Sequence, residues 1–107
     1  MGSTMPDLNL KQQLLSFGFF IDNGALDAYV ELMSTAKNAS KLDLAEYSEW
    51  HHVIPVACYK QKYKCKDRQQ ALLYADEDSA NMKVALLYKD HCKAHYLLYL
   101  CTSGRLK

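Results

Sequence analysis

The chain has 107 residues, enough for one domain with a modest core and too few for two. Half of the residues are hydrophobic and 23% are charged, an ordinary balance for a globular protein, and the net charge is only +1. No apolar run approaches the roughly 20 residues needed to cross a membrane, and no basic start or small-residue cleavage site marks a signal peptide, so a cytoplasmic protein is expected.

Met1 to Met5 reads as a loose end, with Gly2-Ser3-Thr4 either native or an expression scar. From Asp7, placed as a cap, Leu8, Leu10, Leu14 and Leu15 alternate with polar residues as on a short amphipathic helix. Gly18 to Gly24 interrupts it, and Asp22-Asn23-Gly24 offers a start for a second helix over about 25–37. Leu26, Tyr29, Val30 and Met33 form its i, i+3, i+4, i+7 stripe, the spacing of a core face. Asn38-Ala39-Ser40 reads as a loop.

Tyr47 to Val56 is rich in aromatic and β-branched residues and meets Pro55, which predicts a strand running into a loop. From Tyr59 to Arg68, Lys60, Lys62, Lys64, Lys66 and Arg68 occupy alternate positions; in an extended chain all would share one face. Such a face either tracks a phosphate backbone, with Tyr59 and Tyr63 interleaved, or protects a solvated edge. Gln69 to Ala75 is compatible with a short helix, and Ala75 to Ser79 with a polar turn. Lys83 to Leu87 reads as a second strand, Asp90 to Cys101 as a helix, and Ser103-Gly104 as its stop.

Charge and chemistry concentrate in the second half. Residues 1–50 carry three lysines against seven acids, a net of −4. Residues 51–107 carry ten Lys and Arg against five acids, a net of +5, together with all four histidines. A polyanion is the partner such an asymmetry suits, although a solvated basic surface has the same composition. The four cysteines, Cys58, Cys65, Cys92 and Cys101, match no paired metal spacing. Reduced, partly buried thiols are expected, with a structural zinc or a disulfide as the alternative.

His91 and His95 are separated as i and i+4, which on a helix brings two imidazoles to one face about 6 Å apart at Cβ. That spacing suits one metal ion, and equally a surface or core pair. His51 and His52 are neighbours on a predicted strand and therefore point to opposite sides. One can turn to a cation while the other faces a substrate, the division that metal-assisted phosphodiester hydrolysis needs, and histidine is the natural neutral-pH base.

Together these segments resemble the HNH endonuclease family of bacterial and phage type, the ββα-metal nucleases. Tyr47-Ser48-Glu49-Trp50-His51-His52-Val53-Ile54-Pro55 is similar to that family's opening strand, where Y-T-E-x-H-H-I-I-P is a frequent form. Asn81, the apolar run Val84 to Leu87 and His91-x-x-x-His95 resemble its second strand and helix. The resemblance covers about 47–101, roughly half the chain. It departs from the pattern twice: a long insert over 56–79 stands where a short glycine turn is usual, and the Asn81-to-His91 spacing is one residue longer.

With the two helices read from the N-terminal pattern, the resemblance gives an expected α+β fold, an N-terminal helical segment (1–46) packed on a ββα-metal module (47–107) in one compact domain. It implies that His51, His91 and His95 hold one divalent ion and that His52 is the general base. Asn81 matches an asparagine that braces the loop or assists at the metal, and Glu49 sits where an acid is common. The implied activity is metal-dependent endonucleolytic hydrolysis of nucleic acid, DNA foremost, leaving 5′-phosphate and 3′-hydroxyl ends. Three imidazoles favour zinc, nickel or manganese over magnesium, which prefers oxygen ligands. Lys60, Lys62, Lys64, Lys66 and Arg68 are the expected nucleic-acid contacts, and a homodimer is one way to cut both strands. The alternatives are a non-catalytic zinc-stabilised module binding DNA or protein, and a nuclease toxin with an immunity partner.

Overall fold

A β-hairpin-like pair and the helix that follows it organise the site, in a computed structural model that describes residues 8–38 and 48–103. Strand β1 (Ser48–His52) lies antiparallel to β2 (Lys83–Leu87), with His51 opposite Val84 and His52 opposite Lys83. Alternation along β2 buries Val84 and Leu86 and leaves the intervening positions half-exposed, the period-two pattern of a strand with one covered face. Helix α5 (Tyr88–Thr102) begins directly after β2 and returns across the pair. Ala94, Leu97, Leu98 and Cys101 form its buried stripe, and it ends at Ser103 in the left-handed conformation at φ 53°.

The N-terminal helices cover this unit. Helix α1 spans Leu8–Ser16 and α2 spans Gly24–Asn38. Asn23 caps α2, its Oδ1 accepting from the Leu26 amide at 3.0 Å. Leu26, Tyr29, Val30 and Met33 are all fully buried, as the stripe predicts, against α5 and β2. At about 1.5–3 kcal/mol for each large side chain buried, this packing outweighs the few tenths per residue that separate helix propensities. Backbone bonds tie the α1–α2 connection to the end of α5: the Ile21 amide donates to the Cys101 carbonyl at 2.6 Å. The helices and the strand pair therefore share one core, and the fold is α+β, as expected.

The insert between the strands departs from the extended reading. It forms α3 (Val56–Lys62) and α4 (Arg68–Glu77). Pro55, at φ −58° and ψ 142°, sets the chain direction, and Val56, Cys58 and Tyr59 then face the core. The lysine alternation is real but misleading, because the buried apolar positions follow helical spacing. Lys60 and Lys62, two residues apart on a helix, point about 200° apart. The five cations do not share a face.

Helix α4 also runs further than expected, so that Ala75, Asp76 and Glu77 close it rather than forming a turn. Asp67 caps it, accepting from the Gln70 amide at 2.9 Å, while Gln70 Oε1 accepts from the Lys66 amide at 3.0 Å. Ala71 and Ala75, one turn apart, are buried against the core and allow close approach. Asp7, Ala39-Ser40, Tyr47 and Gly104, which figure in the expected cap, loop, strand and stop, lie outside the described residues, as does the expected segment boundary near 46. No helix among the described residues is long and apolar enough to cross a membrane.

Candidate metal centre

Strand β1 delivers two adjacent imidazoles in different directions. His51 is buried, 7% exposed, and packs edge-on against the rings of His91 and His95. One turn of α5 separates those two, and their Nε2 atoms lie 3.1 Å apart. One ligand atom from each of the three rings falls within 4.8 Å of the others, so the three histidines can hold a metal ion. Among the described residues no fourth His, Cys, Asp or Glu joins this group.

Hydrogen bonds fix which ring nitrogen His51 and His91 offer. The Tyr29 hydroxyl donates its single proton to the Val53 carbonyl at 2.8 Å, so it can only accept from the His51 Nε2–H at 2.9 Å. In a neutral imidazole this leaves the Nδ1 lone pair of His51 available. Glu49 Oε1 accepts from the His91 Nδ1–H at 2.7 Å, which leaves the His91 Nε2 lone pair facing His95. A carboxylate or hydroxyl on the far nitrogen is the usual support of a metal-binding histidine. With that lone pair accepting, the His95 Nε2–H donates to His91 Nε2 across 3.1 Å.

The electrostatics favour neutral rings at His51 and His95. Burial, and secondarily the neighbouring imidazoles His91, His95 and His52, push the His51 ring from 6.5 down to about 3. Burial, followed by the nearby His91, also lowers His95. Rings that resist protonation keep their lone pairs, and a cation bound there needs no proton displaced from His51 at neutral pH. The donor set, the tautomers of His51 and His91, and the lowered His51 and His95 rings suit a metal ion.

His52 leaves β1 toward α4. Its Nε2–H donates to Asp76 Oδ1 at 3.0 Å, which turns Nδ1 into the free, basic nitrogen. Two residues further on, Asp78 Oδ2 accepts from the Tyr59 hydroxyl at 2.8 Å and joins the end of α4 to α3. Asn81 completes the frame. Its Oδ1 accepts from the Ile54 amide at 2.9 Å, and its Nδ2 donates to the Ile54 and Ala75 carbonyls at 3.1 and 3.3 Å. Of the two roles the resemblance offers, these bonds serve the brace. They hold the segment after β1 against the turn of α4 that carries Asp76.

A cleft of about 340 Å³ opens beside the histidines, lined by His51, His52, His91 and His95 together with Trp50, Arg68 and Tyr99 among others. Of the five cations expected to contact nucleic acid, Arg68 lines this cleft; Lys60, Lys62, Lys64 and Lys66 are exposed outside its lining. The four cysteines are free thiols and none belongs to the histidine group; Cys58 and Cys101 are buried, and burial raises both, Cys101 to about 11. Cys92 is exposed, on the opposite side of α5 from Cys101.

Two supporting residues escape the sequence reading, and a third is named there without a role. Tyr29 carries a core signal alone, and its bond to His51 is a tertiary fact. Asp76 lay in an expected turn. Glu49 was noticed without a role, although its place two residues before His51 was the available clue. Comparisons with protein-family models, with curated proteins and with solved structures returned no match.

Proposed function

We propose that the chain is a metal-dependent endonuclease of the HNH type, hydrolysing nucleic acid phosphodiesters with His52 as general base. The observation that supports this most is the pairing, in one cleft, of a three-imidazole group with a fourth imidazole whose outer nitrogen is engaged by a carboxylate. A structural metal needs only the first of these. Hydrolysis needs both, plus open coordination positions, and three protein ligands leave them.

His52 Nδ1 would take a proton from water as the water oxygen attacks phosphorus and the bond to the 3′ oxygen breaks. Asp76 stabilises the imidazolium that results, since its carboxylate already accepts from Nε2–H. The 3′ oxygen leaves and takes its proton from solvent, giving 5′-phosphate and 3′-hydroxyl ends. Arg68 meets phosphate charge at the cleft wall. Bound to His51, His91 and His95, a divalent ion would supply charge neutralisation at the scissile phosphate. Zinc, nickel and manganese suit three nitrogen donors better than magnesium does.

The test is nicking of supercoiled plasmid by metal-stripped protein with each of these ions restored. Metal-dependent nicking that His91→Ala abolishes supports the proposal. No cleavage with any ion, alongside one tightly held ion per chain, would favour a zinc-stabilised binding module instead.

A further inference from the structure

Two large aromatic side chains stand at the walls of the histidine cleft. Trp50 on β1 is 57% exposed and Tyr99 on α5 is 60% exposed, and both line the cavity that holds His51 and His52. Exposed aromatics scattered singly need no explanation. These two are not scattered: they come from different elements and line the same cavity, as does Arg68.

We propose that this cleft binds single-stranded nucleic acid, with unpaired bases stacked on Trp50 and Tyr99. The inference takes from the proposed function only that the ligand is a nucleic acid, and adds its strandedness. In a duplex each base face is covered by its neighbours, so an aromatic ring beside the scissile phosphate meets sugar and groove edge. A single strand exposes its base faces, and stacking on aromatic rings is the main sequence-tolerant interaction it offers. Two exposed aromatic rings and a cationic side chain lining one cleft suit that ligand. Arg68, which lines the same cleft, supplies the charge complementarity.

Trp50 is the chain's only tryptophan, so emission excited at the red edge, where the eight tyrosines do not absorb, reports on it alone. The experiment titrates the full chain, in chelator to prevent cutting, with a DNA strand of about twelve nucleotides, the same sequence as RNA, the DNA duplex, and an abasic strand of equal length. Single strands are expected to quench Trp50 and to bind more tightly than the duplex, and the abasic strand to leave the emission unchanged. Whichever of DNA and RNA binds more tightly identifies the source. Trp50→Ala and Tyr99→Ala should each weaken single-strand binding about 5- to 150-fold, with Trp50→Phe retaining most of it. Duplex binding as tight as single-strand binding, equal quenching by the abasic strand, or unchanged affinity in both alanine variants overturns the proposal. Single-strand stacking without cleavage under any metal would leave this inference standing and remove the nuclease; plasmid nicking with Trp50 silent to single strands would do the reverse.

Discussion

The Tyr29 hydroxyl accepts the Nε2 proton of His51 at 2.9 Å while donating its own to Val53, so a helix that precedes the strand pair sets the tautomer of a histidine within it. The N-terminal helices are thereby part of the site as well as its cover.

Removing that hydroxyl has a defined consequence. Tyr29→Phe keeps the ring in the core but strands the His51 Nε2–H and the Val53 carbonyl. Loss of such a supporting bond lowers metal affinity by about 10- to 100-fold, and the stranded groups cost about 1–3 kcal/mol of stability. Calorimetric metal titration and a urea midpoint measure the two effects separately. Unchanged metal affinity would mean that the His51 tautomer is not set by Tyr29.

Asp76→Ala frees the His52 ring without touching the three-imidazole group. Cleavage is expected to fall roughly tenfold or more, a part of the 10²–10⁴ that a general base contributes. Metal affinity should not change. Because the two residues act as a unit, Asp76→Ala should add little to His52→Ala in the double variant. Independent, additive losses would separate Asp76 from the base.

The metal-free protein should lose stability in mild acid. The folded His51 ring takes a proton near 3, the unfolded one near 6.5. Between those values the unfolded chain holds a proton that the folded chain does not, so acidification favours unfolding throughout that window. The slope reaches up to about 1.4 kcal/mol per pH unit for one group, and His95, lowered in the same direction, adds to it. Urea unfolding in chelator at neutral pH and at one and two units below it should show a shallower acid slope for His51→Gln than for the native chain. Parallel slopes would contradict the buried, neutral assignment.

Helical spacing made much of this legible. His91 and His95 at i, i+4 and the Leu26–Met33 stripe are repeats with a period that only one element satisfies, and both stand where expected. Alternation proved the weaker guide. Five cations at every second position looked like a strand face, yet Val56, Cys58 and Tyr59 were the residues with something to bury, and burial determined the conformation. Asp67 was the overlooked sign, a helix cap three residues before Gln70. What stayed out of reach was tertiary. Nothing local in Tyr29 or Asp76 says that each will meet a histidine more than twenty positions away.

The helical insert changes what its cations should do. Arg68 lines the cleft and Lys60 does not. Arg68→Gln is therefore expected to reduce the slope of log affinity against log salt by about 0.7 to 0.9, one phosphate contact, while Lys60→Gln leaves it nearly unchanged. Binding of a labelled oligonucleotide across a salt series reads the slope. Equal effects of the two substitutions would mean that the whole exposed segment contacts the backbone.

The most direct measurement compares native protein with His52→Ala, each stripped of metal and reloaded with manganese, nickel or zinc, for metal affinity and for cleavage of plasmid and single-stranded DNA. Cleavage should fall by about 10²–10⁴ while metal affinity stays within error, because His52 is a base and not a ligand. Undiminished cleavage by His52→Ala, or an equal loss of metal binding, would contradict the division of labour between His52 and the three-histidine group.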